Sequence, residues 1–144
     1  MLLADSVQAA EGKLYILGGG WSIRAPDPVP MAIALYVQVP WDRTNEEHSW
    51  VLDLLDADGQ PVILGEDEEE RVRVEGGVEV GRPPGTKPGT PIDVPLAINF
   101  GPLPLEPGAR YEFRLEIDGE TDEDWRLAFS TRPAFASEEF GPTS

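Results

Sequence analysis

The sequence predicts an all-β protein, a two-sheet antiparallel Greek-key β-sandwich, on three observations. Short segments alternating apolar with polar residues recur every eight to fifteen residues or so, roughly eight or nine of them in all. Turn residues stand at most of the junctions between them, and no segment carries the period of a helix. A closed barrel is the alternative architecture with the same pattern.

The apolar runs from Leu2 to Val7 and from Lys13 to Leu17 read as strands joined by the five residues Gln8-Ala9-Ala10-Glu11-Gly12. Gly18-Gly19-Gly20 precedes Trp21 and either adopts unusual backbone angles or lets another backbone come close. It lacks the Gly-Lys-Ser/Thr ending and the helix of a phosphate loop. Pro26-Asp27-Pro28-Val29-Pro30 is an extended connection. From Ala32 to Val39 a central strand sets Ile33, Leu35, Val37 and Val39 against a second face poor in charge, which something must cover.

After the polar loop from Pro40 to His48 comes a strand from Ser49 to Leu55 with Trp50, Leu52 and Leu54 on one side. Asp56-Ala57-Asp58-Gly59 turns it into a return strand from Pro61 to Leu64. Gly65 to Glu70 is an acidic solvated turn or guarded edge. Arg71 to Val80 is a strand, or a bulged pair broken at Gly76-Gly77. Gly81 to Pro91, with four prolines and three glycines, is a loop without order of its own. Leu96, Ile98 and Phe100 mark the next strand, Tyr111 to Ile117 the clearest one, and Trp125, Leu127 and Phe129 the last.

The turn before that clearest strand has Leu105, Pro107 and, four positions later, Tyr111. This resembles the leucine–proline–tyrosine corner of fibronectin type III domains and related immunoglobulin-like sandwiches. The resemblance implies a buried tyrosine ring whose hydroxyl bonds to upstream backbone. At Gly18-Gly19-Gly20-Trp21, Val39-Pro40-Trp41-Asp42-Arg43, His48-Ser49-Trp50 and Asp56-Ala57-Asp58-Gly59 the chain also resembles a family of small bacterial single-domain proteins of actinobacterial type. That is a domain of unknown function, so the resemblance implies a context and no activity.

The 144 residues suit one domain, residues 1–133 with a tail at 134–144, able to bury about two-thirds of the unfolded chain's surface without metal or disulfide. No cysteine is present, which removes thiolate metal sites and thiol nucleophiles and fits a reducing compartment. The N-terminus shows no signal peptide and no segment approaches a membrane span, so the expected location is cytoplasmic. Twenty-seven acidic against eleven basic residues leave a formal charge of −16, which works against nucleic acid and anionic membranes as partners.

Catalysis has little to stand on: His48 is the single histidine, and no serine sits in a Gly-x-Ser-x-Gly elbow. Surface carboxylates leave a hydrolase open, without any distinctive spacing to support it. Calcium is the one cofactor to weigh, because Asp56 and Asp58, and Asp122 and Asp124, stand in acidic loops. The EF-hand pattern is incomplete, turn chemistry explains the same residues, and no cofactor is expected. The candidate binding surface is Trp41, Asp42, Arg43, Asn45 and His48, with Trp21 brought near: an aromatic face, a guanidinium, a carboxylate and a titratable ring. The same residues can also close the end of a sandwich. The expected function is a non-enzymatic binding or assembly module whose partner is a protein or a second copy. A small-ligand or carbohydrate site at the Trp21 and Trp41 end is the alternative.

Overall fold

The computed structural model describes residues 1–63, 70–103 and 105–133. Most of the acidic run and the whole C-terminal tail therefore lie outside the described residues. The chain is all-β, with two sheets, antiparallel but for one short pairing, facing each other across one apolar core. Sheet one has the order β1-β5-β8, formed by Leu2–Ala4, Met31–Val39 and Ile92–Phe100. Sheet two has the order β4-β10-β9-β6-β7, formed by Ile23–Arg24, Arg126–Thr131, Arg110–Ile117, Glu47–Asp56 and Arg73–Glu79. The chain changes sheet between β4 and β5, between β5 and β6, between β7 and β8, and again between β8 and β9, and β9 returns to pair beside β6, which is Greek-key connectivity. Among the described residues no helix is long and apolar enough to cross a membrane.

Alternation decides the core. Tyr111, Phe113 and Leu115 on β9, Trp50, Leu52 and Leu54 on β6, and Ile33, Leu35 and Val37 on β5 are all buried. Phe113 stacks on Phe100 of the opposite sheet at 5.3 Å and on Phe129 at 5.8 Å. Phe129 stacks on Tyr111 at 5.5 Å. The corner closes as its residues predict: Leu105 is buried and the Glu106 amide donates to the Tyr111 hydroxyl at 2.8 Å. Such a bond contributes about 0.5–1.5 kcal/mol net, so ring burial is the larger effect.

Several elements differ from the sequence expectation. The first hairpin has a two-residue turn, not a five-residue one: Glu11 and Gly12 both take positive φ, 54° and 74°. The expected strand from Leu2 to Val7 is instead β1 and a separate β2 (Ser6–Ala10) that runs on to the turn, and β3 (Lys13–Leu17) has the expected bounds. This hairpin is a separate two-stranded sheet. It lies across the outer face of sheet one, where Ala4, Val7, Ala32 and Ala34 form a second buried cluster with Leu14 packed on it. The weakly polar face of β5 is thus covered at Ala32 and Ala34 by the chain's own N-terminus. Gly18 and Gly20 take positive φ, so the triple glycine serves for unusual backbone angles. What crowds Gly19 is side chains and not another backbone, a Cβ there falling 2.6 Å from Ile16 Cγ2 and 2.9 Å from Leu2 Cδ1.

One pairing is parallel, β4 with β10 through Ile23↔Ser130 and Arg24↔Thr131, held where Trp21 meets Phe129 edge-on at 5.8 Å. The expected return strand from Pro61 to Leu64 makes only isolated bridges among the described residues, which exclude Leu64: Leu55↔Pro61 and Ile63↔Arg71. β7 runs unbroken through Gly76 and Gly77, because Gly76 stands opposite Trp50 and its bare Cα leaves room for the indole. The Gly/Pro loop has internal order after all, two successive turns closed by Thr86 N–H to Pro83 O at 3.2 Å and Thr90 N–H to Lys87 O at 3.1 Å.

Candidate functional site

Beyond β5 the chain makes a single 3-10 turn, Trp41–Arg43. The Thr44 hydroxyl donates to the Trp41 carbonyl at 2.9 Å and closes the turn. Arg82, just after β7, holds the whole loop. Its guanidinium carbon lies 4.0 Å from the centre of the Trp41 ring, Nη2 donates to Trp41 O at 2.7 Å, and Nε donates to Thr44 Oγ1 at 2.8 Å. Asn45 takes a positive φ of 61° and its N–H donates to Val80 O at 2.8 Å. Residues of this type tolerate the left-handed region, and here it turns the chain into β6.

His48 opens the inner face of β6 and is buried. Its Nδ1 lies 2.7 Å from Asp118 Oδ2 and its Nε2 lies 2.8 Å from the Arg43 carbonyl oxygen. Neither partner can donate, and a neutral imidazole carries one N–H only. Both contacts are satisfied together by the imidazolium alone, so the geometry between the loop and β9 favours the charged ring. Those two acceptors, the Arg43 carbonyl first and then the Asp118 carboxylate, raise its pKa against the opposing effects of burial and the Arg43 charge.

Asp118 is placed by a two-residue turn. Asp118 and Gly119 take φ of 53° and 80°, and Ile117 and Glu120 exchange backbone bonds around them. Its Oδ1 accepts from the Ser49 amide at 3.0 Å, and Oδ2 also meets Arg43 Nη2 at 3.4 Å. The hydrogen bond from His48 is the largest of several effects that hold this carboxyl below its usual value. Beside the pair, an open cleft of about 370 Å³ is walled by Val37, Val39 and Ile117, with Arg43 and Trp125 at its sides.

The pair imposes a pH dependence of known sign. His48 has a folded pKa above its usual 6.5, so its contribution is complete below that value and is lost as pH rises through the folded one. Asp118 is shifted below 3.8, so its contribution is present above that value and is lost as pH falls through the lowered one. The urea midpoint is expected to decline from near neutrality toward alkaline pH, and the His48→Gln variant to flatten that decline. An identical alkaline limb in the variant contradicts a charged His48.

Of the sequence-predicted binding residues, the structure brings together Arg43 and His48, sets Trp41 in the same loop under Arg82, and leaves Asp42 and Asn45 exposed. Trp21 is elsewhere. It packs on Phe129 level with Tyr111 at the start of β9, whereas Arg43 meets Asp118 past the end of that strand, roughly 20 Å away along it. The acidic loops are equally separate: Asp56 pairs opposite Tyr111, and Asp122 follows the hairpin at the other end of β9. Each serves its own turn, Asp56 accepting from the Asp58 and Gln60 amides, both at 2.9 Å, and Asp122 from Asp124 N–H at 3.0 Å. Among the described residues no three histidine or acidic side chains converge as a metal-ligand set.

Sequence reasoning missed Asp118 and Arg82. Asp118-Gly119 is a strong hairpin-turn dipeptide, which would have flagged the first; nothing in the Gly/Pro loop distinguishes the second.

The model of the family of unknown function DUF6941 matches residues 1–130, from β1 through all but the last residue of β10. No curated protein and no solved structure matches the chain.

Proposed function

Since the chain belongs to the family of unknown function DUF6941, which brings no activity with it, we propose from the geometry that it is a non-catalytic module that binds a protein chain through its N-terminal hairpin. One observation carries this reading. Three consecutive large apolar side chains of β3 stand in the open, Tyr15 at 52%, Ile16 at 42% and Leu17 at 70% exposure, on a strand that among the described residues is paired along one edge only.

The cleft beside His48 supports the same reading by what it lacks. Both ring nitrogens face acceptors and Asp118 already takes several donors, so neither group is free to move a proton for a substrate. A sugar-binding face built from Trp21 and Trp41 is disfavoured because the two rings belong to opposite ends of the sandwich. The acidic surface argues for a protein partner over nucleic acid or an anionic bilayer. With no cysteine to keep reduced or oxidised, the cytoplasm is its proposed setting.

A photo-crosslinking side chain placed at Leu17 in the native cell tests the proposal. Adducts to protein are expected from position 17 and not from Glu75 on β7, an exposed position on the opposite sheet. No adduct from position 17, or equal adducts from both positions, defeats it.

A further inference from the structure

We infer that the occupant of the hairpin edge is a second copy of this chain, paired β3 to β3 in an antiparallel register centred on Tyr15. This rests on the hairpin being the binding surface, and it follows from which atoms of β3 face outward. The two-residue turn makes Ala10 and Lys13 the first hydrogen-bonded pair, so Gln8 with Tyr15 and Ser6 with Leu17 are the next. The backbone groups of Lys13, Tyr15 and Leu17 therefore point toward β2, and those of Leu14 and Ile16 point away from it. Among the described residues nothing bonds those groups of Leu14 and Ile16.

The far edge of β2 is treated differently. The Val7 amide donates to Asn99 Oδ1 at 3.2 Å and Asn99 Nδ2 donates to Val7 O at 2.9 Å, so a side chain from β8 stands in for a neighbouring strand. The β2 edge is closed at Val7, whereas among the described residues the β3 edge is open at both Leu14 and Ile16.

Charge selects the occupant. Acidic residues make up 27 of the 144, about one residue in five, so two are expected among the ten residues of β2 and β3. Those ten hold none, and their one charge is Lys13. For a chain of charge −16, an acid-free strand is the surface on which two copies can meet without direct repulsion. A basic partner would be better met by acidic residues at this edge, and they are missing.

Two-fold symmetry and the outward groups then fix the register. Leu14 exchanges backbone bonds with Ile16 of the second copy, and Ile16 with Leu14. Tyr15 faces Tyr15 as a close non-hydrogen-bonded pair on the outer surface, and the stem of Lys13 lies against Leu17. Like charges are kept apart, and the two hairpins become one four-stranded sheet.

Sedimentation equilibrium of the full chain from low micromolar to submillimolar concentration is the test, with charge variants at the symmetry axis. The wild type is expected to move from 15.8 kDa toward twice that mass. Tyr15→Glu and Tyr15→Lys each place like charges face to face and should each weaken the dimer by about tenfold or more. Both substitutions lie on the outer face of the hairpin, and far-UV circular dichroism of each should match the wild type. A mixture of the two should dimerise again, because opposite charges then meet across the axis. A monomeric wild type, a dimer indifferent to both variants, or a mixture that stays monomeric overturns the inference. If the wild type is monomeric while position 17 still crosslinks to a different protein, self-pairing falls and the binding reading stands; without crosslinks both fall.

Discussion

Phe113→Ala is expected to lower the stability of the protein by about 3–5 kcal/mol, the usual range for deleting a fully enclosed aromatic ring. Phe113 has 0% exposure and its ring touches both sheets of the aromatic core, Phe100 on sheet one and Phe129 beside it on sheet two. Removing it takes away its own burial and separates Phe100 from the Tyr111, Phe129 and Trp21 stack. Urea unfolding should show a lower midpoint at an unchanged slope. Tyr111→Phe keeps its ring and loses only the acceptor for the Glu106 amide, so it should cost about 0.5–1.5 kcal/mol. Equal losses from the two variants contradict the described core.

The second large effect has a sign that ordinary strand propensity would reverse. Replacing glycine by alanine inside a strand stabilises by roughly 0.5–1 kcal/mol when nothing opposes the new methyl. At Gly76 that methyl would enter the Trp50 indole, with Cε2 at 2.6 Å and Nε1 at 2.9 Å. Trp50 is buried among core residues and cannot swing aside, so Gly76→Ala should destabilise by about 1–3 kcal/mol. Gly101, with nothing within 4 Å of a built Cβ, provides the comparison, and Gly101→Ala should be near neutral. A Gly76→Ala protein as stable as the wild type would show that Trp50 does not lie over β7.

These two residues also show what the sequence makes readable. Phe113 is legible because Tyr111, Phe113, Leu115 and Ile117 alternate with charged residues directly after a Pro-Gly turn, a local pattern with one outcome. Gly76 is not, because a Gly-Gly pair has the same local propensity whether it breaks a strand or makes room for a ring, and the ring comes from a residue twenty-six positions earlier. His48 and Asp118 are separated by 70 residues, and their contact exists only once β6 and β9 are paired in register. The uncharged face of β5 was readable as needing a cover. That the cover is the N-terminal hairpin was not, because Leu14 to Leu17 is apolar toward both faces and alternation cannot say which side packs. The same two-sided apolarity now marks the surface on which the functional proposal rests.

Backbone hydrogen exchange along β3, followed residue by residue against protein concentration, tests that proposal most directly. Tyr15 and Leu17 amides, bonded within the hairpin, should be protected at every concentration. Leu14 and Ile16 amides should exchange freely in dilute solution and gain protection as concentration rises. Exchange at Leu14 and Ile16 that ignores concentration, whether fast or slow throughout, contradicts an open edge that pairs with a second copy.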